Sequence, residues 1–226
     1  MKHCDYCAQF IASSGGVLDV GSGKGKFLCE MAKRGFKVHG VEVNPDYIEE
    51  AKSQAVKEGV AIQVINTQAE SLPFPNDYFN FVNCAEVTEH VEYPVRVCEE
   101  IYRVLKPGGY GYISFHNRFG FYDYHYHLHF INWLPRSVAE FILFFLNKQK
   151  TDSIVGKQRL VTMHYFTYGQ IKKILENSGF LVVDIREEKI SKTYKYAAFL
   201  FLLIYYFFRS FYFNTFHILV KKSDWL

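Results

Sequence analysis

The 226-residue chain has little proline, an odd number of cysteines and no apolar run of membrane-spanning length. Six prolines and 15 glycines exclude a collagen-like or linker-rich chain. Five cysteines exclude a disulfide framework. No basic stretch leads into an apolar run at the start, so a reducing, cytoplasmic compartment is expected. Dense Lys/Arg clusters are also lacking, which argues against a nucleic-acid partner. The apolar content, at 49%, excludes intrinsic disorder, and the length suffices for one sizeable core.

The net charge of +3 hides an asymmetry. Residues 1–113 carry 11 Lys/Arg and 15 Asp/Glu, whereas residues 114–226 carry 15 and 8. Aromatics divide 13 to 28 between the same halves. A basic, aromatic second half suggests an anionic or membrane partner.

The first half alternates strand and helix signals. His3 to Ser13 is consistent with a short helix. Gly16 to Val20 is a brief apolar run that ends in Gly21-Ser22-Gly23-Lys24-Gly25, and a helical pattern follows until Gly35. Lys37 to Val43 alternates as a strand. Asn44-Pro45 supplies an N-cap and a first-turn proline for a helix that stops near Gly59. Further strands are expected at Val60 to Ile65, Tyr78 to Cys84 and Tyr110 to Phe115, with a helix over Tyr93 to Leu105. This alternation implies a parallel sheet with right-handed crossovers. Residues 116–166 break the rhythm. It resumes at Thr167-Tyr168-Gly169-Gln170, a capping-box sequence whose helix Gly179 closes. Strands follow at Phe180 to Ile185 and Asn214 to Lys222, separated by thirteen apolar residues from Tyr196 to Phe208.

Glycines in a loop between strand and helix permit positive φ and let a ligand approach the backbone. Glu42 ends the second strand, 17 residues after Gly25, where a carboxylate can accept from a ribose diol. A dinucleotide fingerprint would place its third glycine at position 26, which is Lys26, and no Lys-Ser/Thr pair makes a P-loop.

With these motifs the chain resembles the class I S-adenosylmethionine-dependent methyltransferases, in particular the methyltransferase type 11 group. Val17 to Gly25 resembles their first motif and Val38 to Pro45 their second. Ala69 to Phe79 resembles the stretch beside adenine, and Glu86-Val87-Thr88-Glu89-His90-Val91 the segment after strand four. Glu100 to Gly109 resembles a further signature of the group. The resemblance implies that Gly21 and Gly23 approach the methionine moiety and ribose, with Asp19 orienting the loop. It implies that Glu42 binds the ribose hydroxyls, that Val43 packs on adenine, and that the Ala69 amide faces the ring edge. Ser22, Gly25, Gln68, Glu70, Cys84 and Ala85 complete the candidate cofactor set. Gln68 departs from the family's usual Asp, so a charge-assisted bond to the adenine amine becomes a neutral one. The product would be S-adenosylhomocysteine.

Methyl transfer from a sulfonium is an in-line displacement from an activated donor, so alignment is the protein's main task. A base is needed only when the acceptor must lose a proton. Glu86, His90 and His116 are the candidates, because open α/β sheets bind ligands at the carboxyl ends of their strands. His125, His127 and His129 would share a face if extended. A polar aromatic loop over the acceptor is favoured there over a zinc site, and Cys4 and Cys7 are read as reduced thiols, so no metal is expected. Tyr196 to Phe208 is open to three readings: core, lid over an apolar substrate, or membrane-interface helix. Lys189, Lys192, Lys195 and Arg209 flank it, and Arg136, Lys148 and Lys150 bracket Val138 to Leu146, a pattern suited to an anionic membrane surface.

The expectation is therefore one α/β domain over 1–226, with a doubly wound, mainly parallel seven-stranded sheet whose last strand, by resemblance, is antiparallel. Residues 1–115 form its cofactor-binding half, and insertions at 116–166 and 189–213 an aromatic cap. The expected activity is methyl transfer to a small, apolar or lipid-linked acceptor. The competing readings are a non-catalytic, membrane-associated binding module and an NAD-dependent oxidoreductase.

Overall fold

The computed structural model describes residues 3–12, 15–152 and 158–223. Ser13, at the end of the expected first helix, and residues 153–157 of the first insertion lie outside them.

The chain runs α1 (His3–Ala8), β1 (Gly16–Val20), α2 (Lys26–Lys33), β2 (Lys37–Glu42), α3 (Pro45–Glu58), β3 (Gln63–Asn66), β4 (Phe79–Cys84), α4 (Pro94–Val104) and β5 (Leu105–His116). The first insertion supplies β6 (Tyr122–Asp123), β7 (Leu128–His129) and α5 (Arg136–Phe145). Then come α6 (Tyr168–Asn177), β8 (Phe180–Asp184), α7 (Ile185–Thr193), α8 (Ala198–Phe208) and β9 (Thr215–Lys222).

Seven strands form one sheet in the order β3-β2-β1-β4-β5-β9-β8. All pairings from β3 to β5 are parallel, and β9 is antiparallel to both of its neighbours. The doubly wound, mainly parallel sheet with an antiparallel last strand is therefore as expected. The strand order reverses between β1 and β4, which places the carboxyl ends of β1, β2, β4 and β5 along one edge.

The central strands are apolar because both faces are covered. Leu18, Val20, Val41 and Val82 pack with Val97, Ile101 and Leu175 from α4 and α6. Val17, Val38 and Phe81 face Phe27, Leu28 and Met31 of α2. Insertion residues Tyr126, Ile131, Ala139, Leu143, Leu160, Met163 and Tyr165 form a separate small core.

Local signals explain most boundaries. The Asn44 side chain accepts from the Asp46 amide at 2.9 Å, and Gly59 closes α3 with φ 67°. Thr167 and Gln170 form the capping box at α6. Three expectations need correction. β3 begins at Gln63 rather than Val60, because Val60 still donates to the Ala55 carbonyl in the turn that ends α3. β5 begins at Leu105, so Lys106 to Gly109 form an irregular stretch of strand whose register shifts between Phe79 and Phe81. His125, His127 and His129 do not share an extended face. β6 and β7 form a hairpin in which His127 turns at φ 55° and His129 pairs with Tyr122.

Replacing Thr167 by Ala removes one side of the capping box, and urea unfolding should show a loss of about 1 kcal/mol. An unchanged midpoint and slope would contradict that role for the cap.

Candidate active site

Two clusters meet at the carboxyl edge of the sheet. The first is the loop after β1. Gly21, Gly23 and Gly25 have φ of 68°, 50° and 76°. A Cβ at Gly21 would stand 2.4 Å from Val87 Cγ2, and one at Gly25 2.7 Å from Ala51 Cβ. Gly23 faces open space, with nothing within 4 Å of a Cβ position. The loop is tied to β2, since the Gly21 and Ser22 amides both donate to the Val41 carbonyl. Glu42, 8% exposed, completes the tie. One of its oxygens accepts from the Gly23 amide at 2.8 Å, and the other from the Val43 and Asn44 amides at 2.9 Å each.

Asp19 is buried beneath this loop and accepts from the Asn83 side chain at 2.7 Å. Asn83 in turn is 2.9 Å from His3 Nε2. Burial raises the Asp19 carboxyl to about 7 against the opposing Asn83 hydrogen bond. Val43 is partly exposed, Ala69 is buried and Gln68 is exposed. Glu70 accepts from the Glu92 amide at 2.9 Å and so ties the loop after β3 to the segment before α4. Cys84 is buried at the end of β4, and Ala85 is half-buried beside it. The open face at Gly23, bordered by Ser22, whose buried hydroxyl has no hydrogen-bond partner among the described residues, suits a ligand that lies against backbone.

The second cluster follows β4. Glu86 has φ 58°, an uncommon conformation for a non-glycine residue. It is held there because its amide donates to Ser114 Oγ at 2.8 Å and its carboxylate lies 2.8 Å from His116 Nε2. Desolvation opposes the charge of Glu86, but the hydrogen bonds from His116 and Ser114 outweigh it and hold the carboxyl at about 2. Burial alone would lower His116, yet its two carboxylate neighbours raise it to about 10. His90 Nε2 lies 3.6 Å from Glu89.

The structure thus gathers Glu86, His90 and His116 around Glu89, which the sequence reading quoted within a motif but did not single out. Its signal was the spacing Glu86-x-x-Glu89-His90, which one tight turn brings together. His125 also enters this cluster, with its ring 4.8 Å from that of His116. His127 and His129 stand apart, the former 3.1 Å from the Tyr122 hydroxyl. Asn66, likewise not singled out, donates to the Glu42 and Val43 carbonyls at 2.9 and 3.0 Å. Val87 links the clusters, since it touches the Gly21 backbone and follows Glu86.

Residues 18–113 match the family model for a methyltransferase domain. That stretch of the chain is similar to a methyltransferase domain. A ubiquinone biosynthesis O-methyltransferase of Shewanella sp. is 36% identical to the chain over 103 residues, which are 45% of the chain and 44% of that relative. The ubiquinone/menaquinone biosynthesis C-methyltransferase UbiE of Neisseria gonorrhoeae is 33% identical over 111 residues, 48% of the chain and 45% of the relative. The matched stretch therefore spans less than half the length of either relative. Among solved structures, an S-adenosylmethionine-dependent methyltransferase from Methanosarcina mazei superposes with a TM-score of 0.61 at 19% identity, covering 99% of the chain and 98% of that protein. Phosphoethanolamine N-methyltransferase 2 of Haemonchus contortus, in complex with S-adenosyl-L-methionine, gives 0.65 at 19% identity, covering 97% of the chain and 52% of that protein. Both show that the chain has the fold of these methyltransferases. The open Gly23 face beside Glu42 is of a kind that fits an adenosyl group.

Two measurements follow. Glu42→Ala should weaken calorimetric S-adenosylhomocysteine binding by on the order of 1–3 kcal/mol, through loss of charged hydrogen bonds; unchanged affinity would remove Glu42 from the site. The Asp19 carboxyl is raised in the folded state, so burying its charge costs stability progressively as pH rises from about 4 to about 7. Asp19→Asn escapes that cost. Urea unfolding should therefore show the variant gaining on the wild type by a few kcal/mol across that window and no further above it. A difference independent of pH would contradict a buried, titrating Asp19.

Proposed function

We propose that this chain transfers a methyl group from S-adenosylmethionine to a small, apolar or lipid-like acceptor at the carboxyl ends of β4 and β5. One observation carries the reading of the acceptor. A cavity of about 330 Å³ opens between the two insertions, walled by Phe121 and Tyr124 on one side and Tyr212 and Phe213 on the other. Thr215, also in its lining, pairs with His116 at the end of β5, so the cavity adjoins the Glu86–His116 cluster. Its lining combines these four aromatic rings with the polar groups of Arg186, Asn214, Thr215 and His217, as suits an aromatic or apolar molecule that also carries polar substituents. A larger cavity of about 440 Å³, at Tyr168, Glu187 and Arg209, includes no residue of either cluster.

The cofactor supplies an electrophilic methyl group on a sulfonium. In this reading Gly21 and Gly23 admit the cofactor to the backbone, and Glu42 orients its ribose with the lone pair left by three amide bonds. Val43 packs on the adenine, and Gln68, Ala69 and Glu70 border its edge. Ser22, Gly25, Cys84 and Ala85 shape the floor, while Asp19 fixes the loop from below. Glu86, His90 and His116 face the acceptor, with His116 held by Glu86 as a positioned proton carrier.

The insertions serve a second purpose, namely docking on an anionic membrane surface from which the acceptor is drawn. No helix among the described residues is long and apolar enough to cross a membrane. α8 instead presents Phe199, Leu200, Leu203, Ile204 and Phe207 to solvent, with Tyr205 its one buried side chain. α5 exposes Phe141, Phe144 and Phe145. An exposed apolar surface of this extent marks an interaction site. Lys189, Lys192, Lys195 and Arg209 around α8 match the charge of anionic headgroups. The ubiquinone-pathway names of the relatives are consistent with a lipid-like acceptor.

Radiolabelled S-adenosylmethionine incubated with the chain and fractionated lipid and small-molecule extracts should label an apolar fraction. Label confined to polar fractions would overturn the acceptor class, and no label anywhere the enzymatic reading. Flotation should recover the chain with anionic vesicles at low salt and release it at high salt; no flotation at low salt would discard membrane docking.

A further inference from the structure

The Glu86 turn contains a buried carboxylate whose one close charged partner among the described residues is shared with a second carboxylate. Glu89 is fully buried, and among the described residues neither of its carboxylate oxygens has a partner in hydrogen-bond geometry. His116 Nε2 approaches one oxygen to 3.1 Å without hydrogen-bond geometry, because the single hydrogen on that nitrogen serves Glu86 at 2.8 Å. A buried carboxylate left in this state costs several kcal/mol. Donor atoms nevertheless converge on it from every side. Glu86, Glu89 and His116 offer one ligand atom each within 4.8 Å of one another, and so do Glu89, His90 and His125. The two sets share Glu89.

We propose that Glu89, with Glu86, His90, His116 and His125, forms a binding site for a divalent cation of the first transition row, such as Mn²⁺ or Zn²⁺. Mixed imidazole and carboxylate donors select that class over Mg²⁺ or Ca²⁺, which favour all-oxygen sets. Two donors at about 2.1 Å from one ion stand at most about 4.2 Å apart, so within either triplet the side chains need to close by only a few tenths of an ångström. The surroundings already fix the ligands. The Tyr165 hydroxyl lies 3.3 Å from His125 Nδ1, leaving Nε2 for the ion, and donates to Asp123 at 2.7 Å. Such an outer carboxylate is the usual support of a metal-binding histidine. Ser114 holds Glu86 through its amide at 2.8 Å. Of the His125, His127 and His129 triplet, only His125 belongs to this set.

The site also deepens the proposed function, on which the next step rests. A cation at the ends of β4 and β5 would lower the pKa of an acceptor hydroxyl bound there, which assigns oxygen as the methylated atom. The hydroxyl proton passes to solvent or to a site base, the new bond joins oxygen to the methyl carbon, and the broken carbon–sulfur bond leaves its electron pair on sulfur.

The test uses the whole chain, stripped with chelator and titrated with MnCl₂. Loss of the aqueous Mn²⁺ resonance should report one bound ion per chain, and the ion should raise the thermal midpoint. Glu89→Gln keeps the side chain's shape and should weaken Mn²⁺ binding at least tenfold while leaving S-adenosylhomocysteine affinity unchanged. His127→Ala, outside the cluster, should bind Mn²⁺ as the wild type does. Wild-type chain that binds S-adenosylhomocysteine but neither Mn²⁺ nor Zn²⁺ would overturn the metal site and leave the methyltransferase reading standing. Metal binding without cofactor binding would do the reverse. In the radiolabel assay, transfer should fall at least tenfold on chelation and return with Mn²⁺; transfer indifferent to chelator would contradict the oxygen assignment.

Discussion

The Glu42 carboxylate is the constraint on which the rest of the site depends. Parallel strands leave their carboxyl ends as separate tips, and the tips of β1 and β2 must stand in fixed register to form one surface. Glu42 achieves this by accepting from the Gly23 amide on one side and the Val43 and Asn44 amides on the other. Charge-assisted bonds of this kind are roughly twice as strong as neutral ones, and here they act where little water competes. Asn66 adds the tip of β3 to the same junction. The open face at Gly23 is thus a consequence of a carboxylate that straps the ends of β1 and β2 together, with β3 joined to them by Asn66.

A second constraint runs through β4 and β5. Ser114 and His116, both near the end of β5, hold Glu86 in its left-handed conformation, and Val87 then packs on Gly21. The cofactor loop and the polar cluster are therefore mechanically joined. Backbone conformations of this kind cost about 1–3 kcal/mol and persist only where surrounding contacts over-determine them. That cost, next to a buried Glu89 that shares His116 with Glu86, is a local sacrifice of stability at the edge where open α/β sheets bind ligands.

The architecture was legible because its signals are local. Apolar strands, Asn44-Pro45, Gly59 and the Thr167–Gln170 pair each specify an element or its end from a few neighbouring residues. The glycine loop and Glu42 were legible for the same reason, with only the spacing between them to bridge. The polar cluster was half legible. Glu86, His90 and His116 were found from their place after strands, but nothing in the Thr88-Glu89-His90 sequence announces that Glu89 is buried, and His125 arrives from a hairpin whose turn at His127 no periodicity announces. α7 starts at Ile185, directly after β8, because Asp184 caps it by accepting from the Arg186 and Glu187 amides. Tyr205 also donates to Asp184, a tertiary contact that turns α8 so its remaining apolar side chains face outward.

The central claim is that the β1 loop and Glu42 together hold the adenosyl group of the methyl donor. A crystal structure of the chain grown with saturating S-adenosylhomocysteine tests it most directly. The account predicts density lying against Gly21 to Gly25, with the ribose hydroxyls at Glu42 and the sulfur directed toward the Glu86–His116 edge. An empty crevice at saturation, or a ligand bound elsewhere on the molecule, would contradict it.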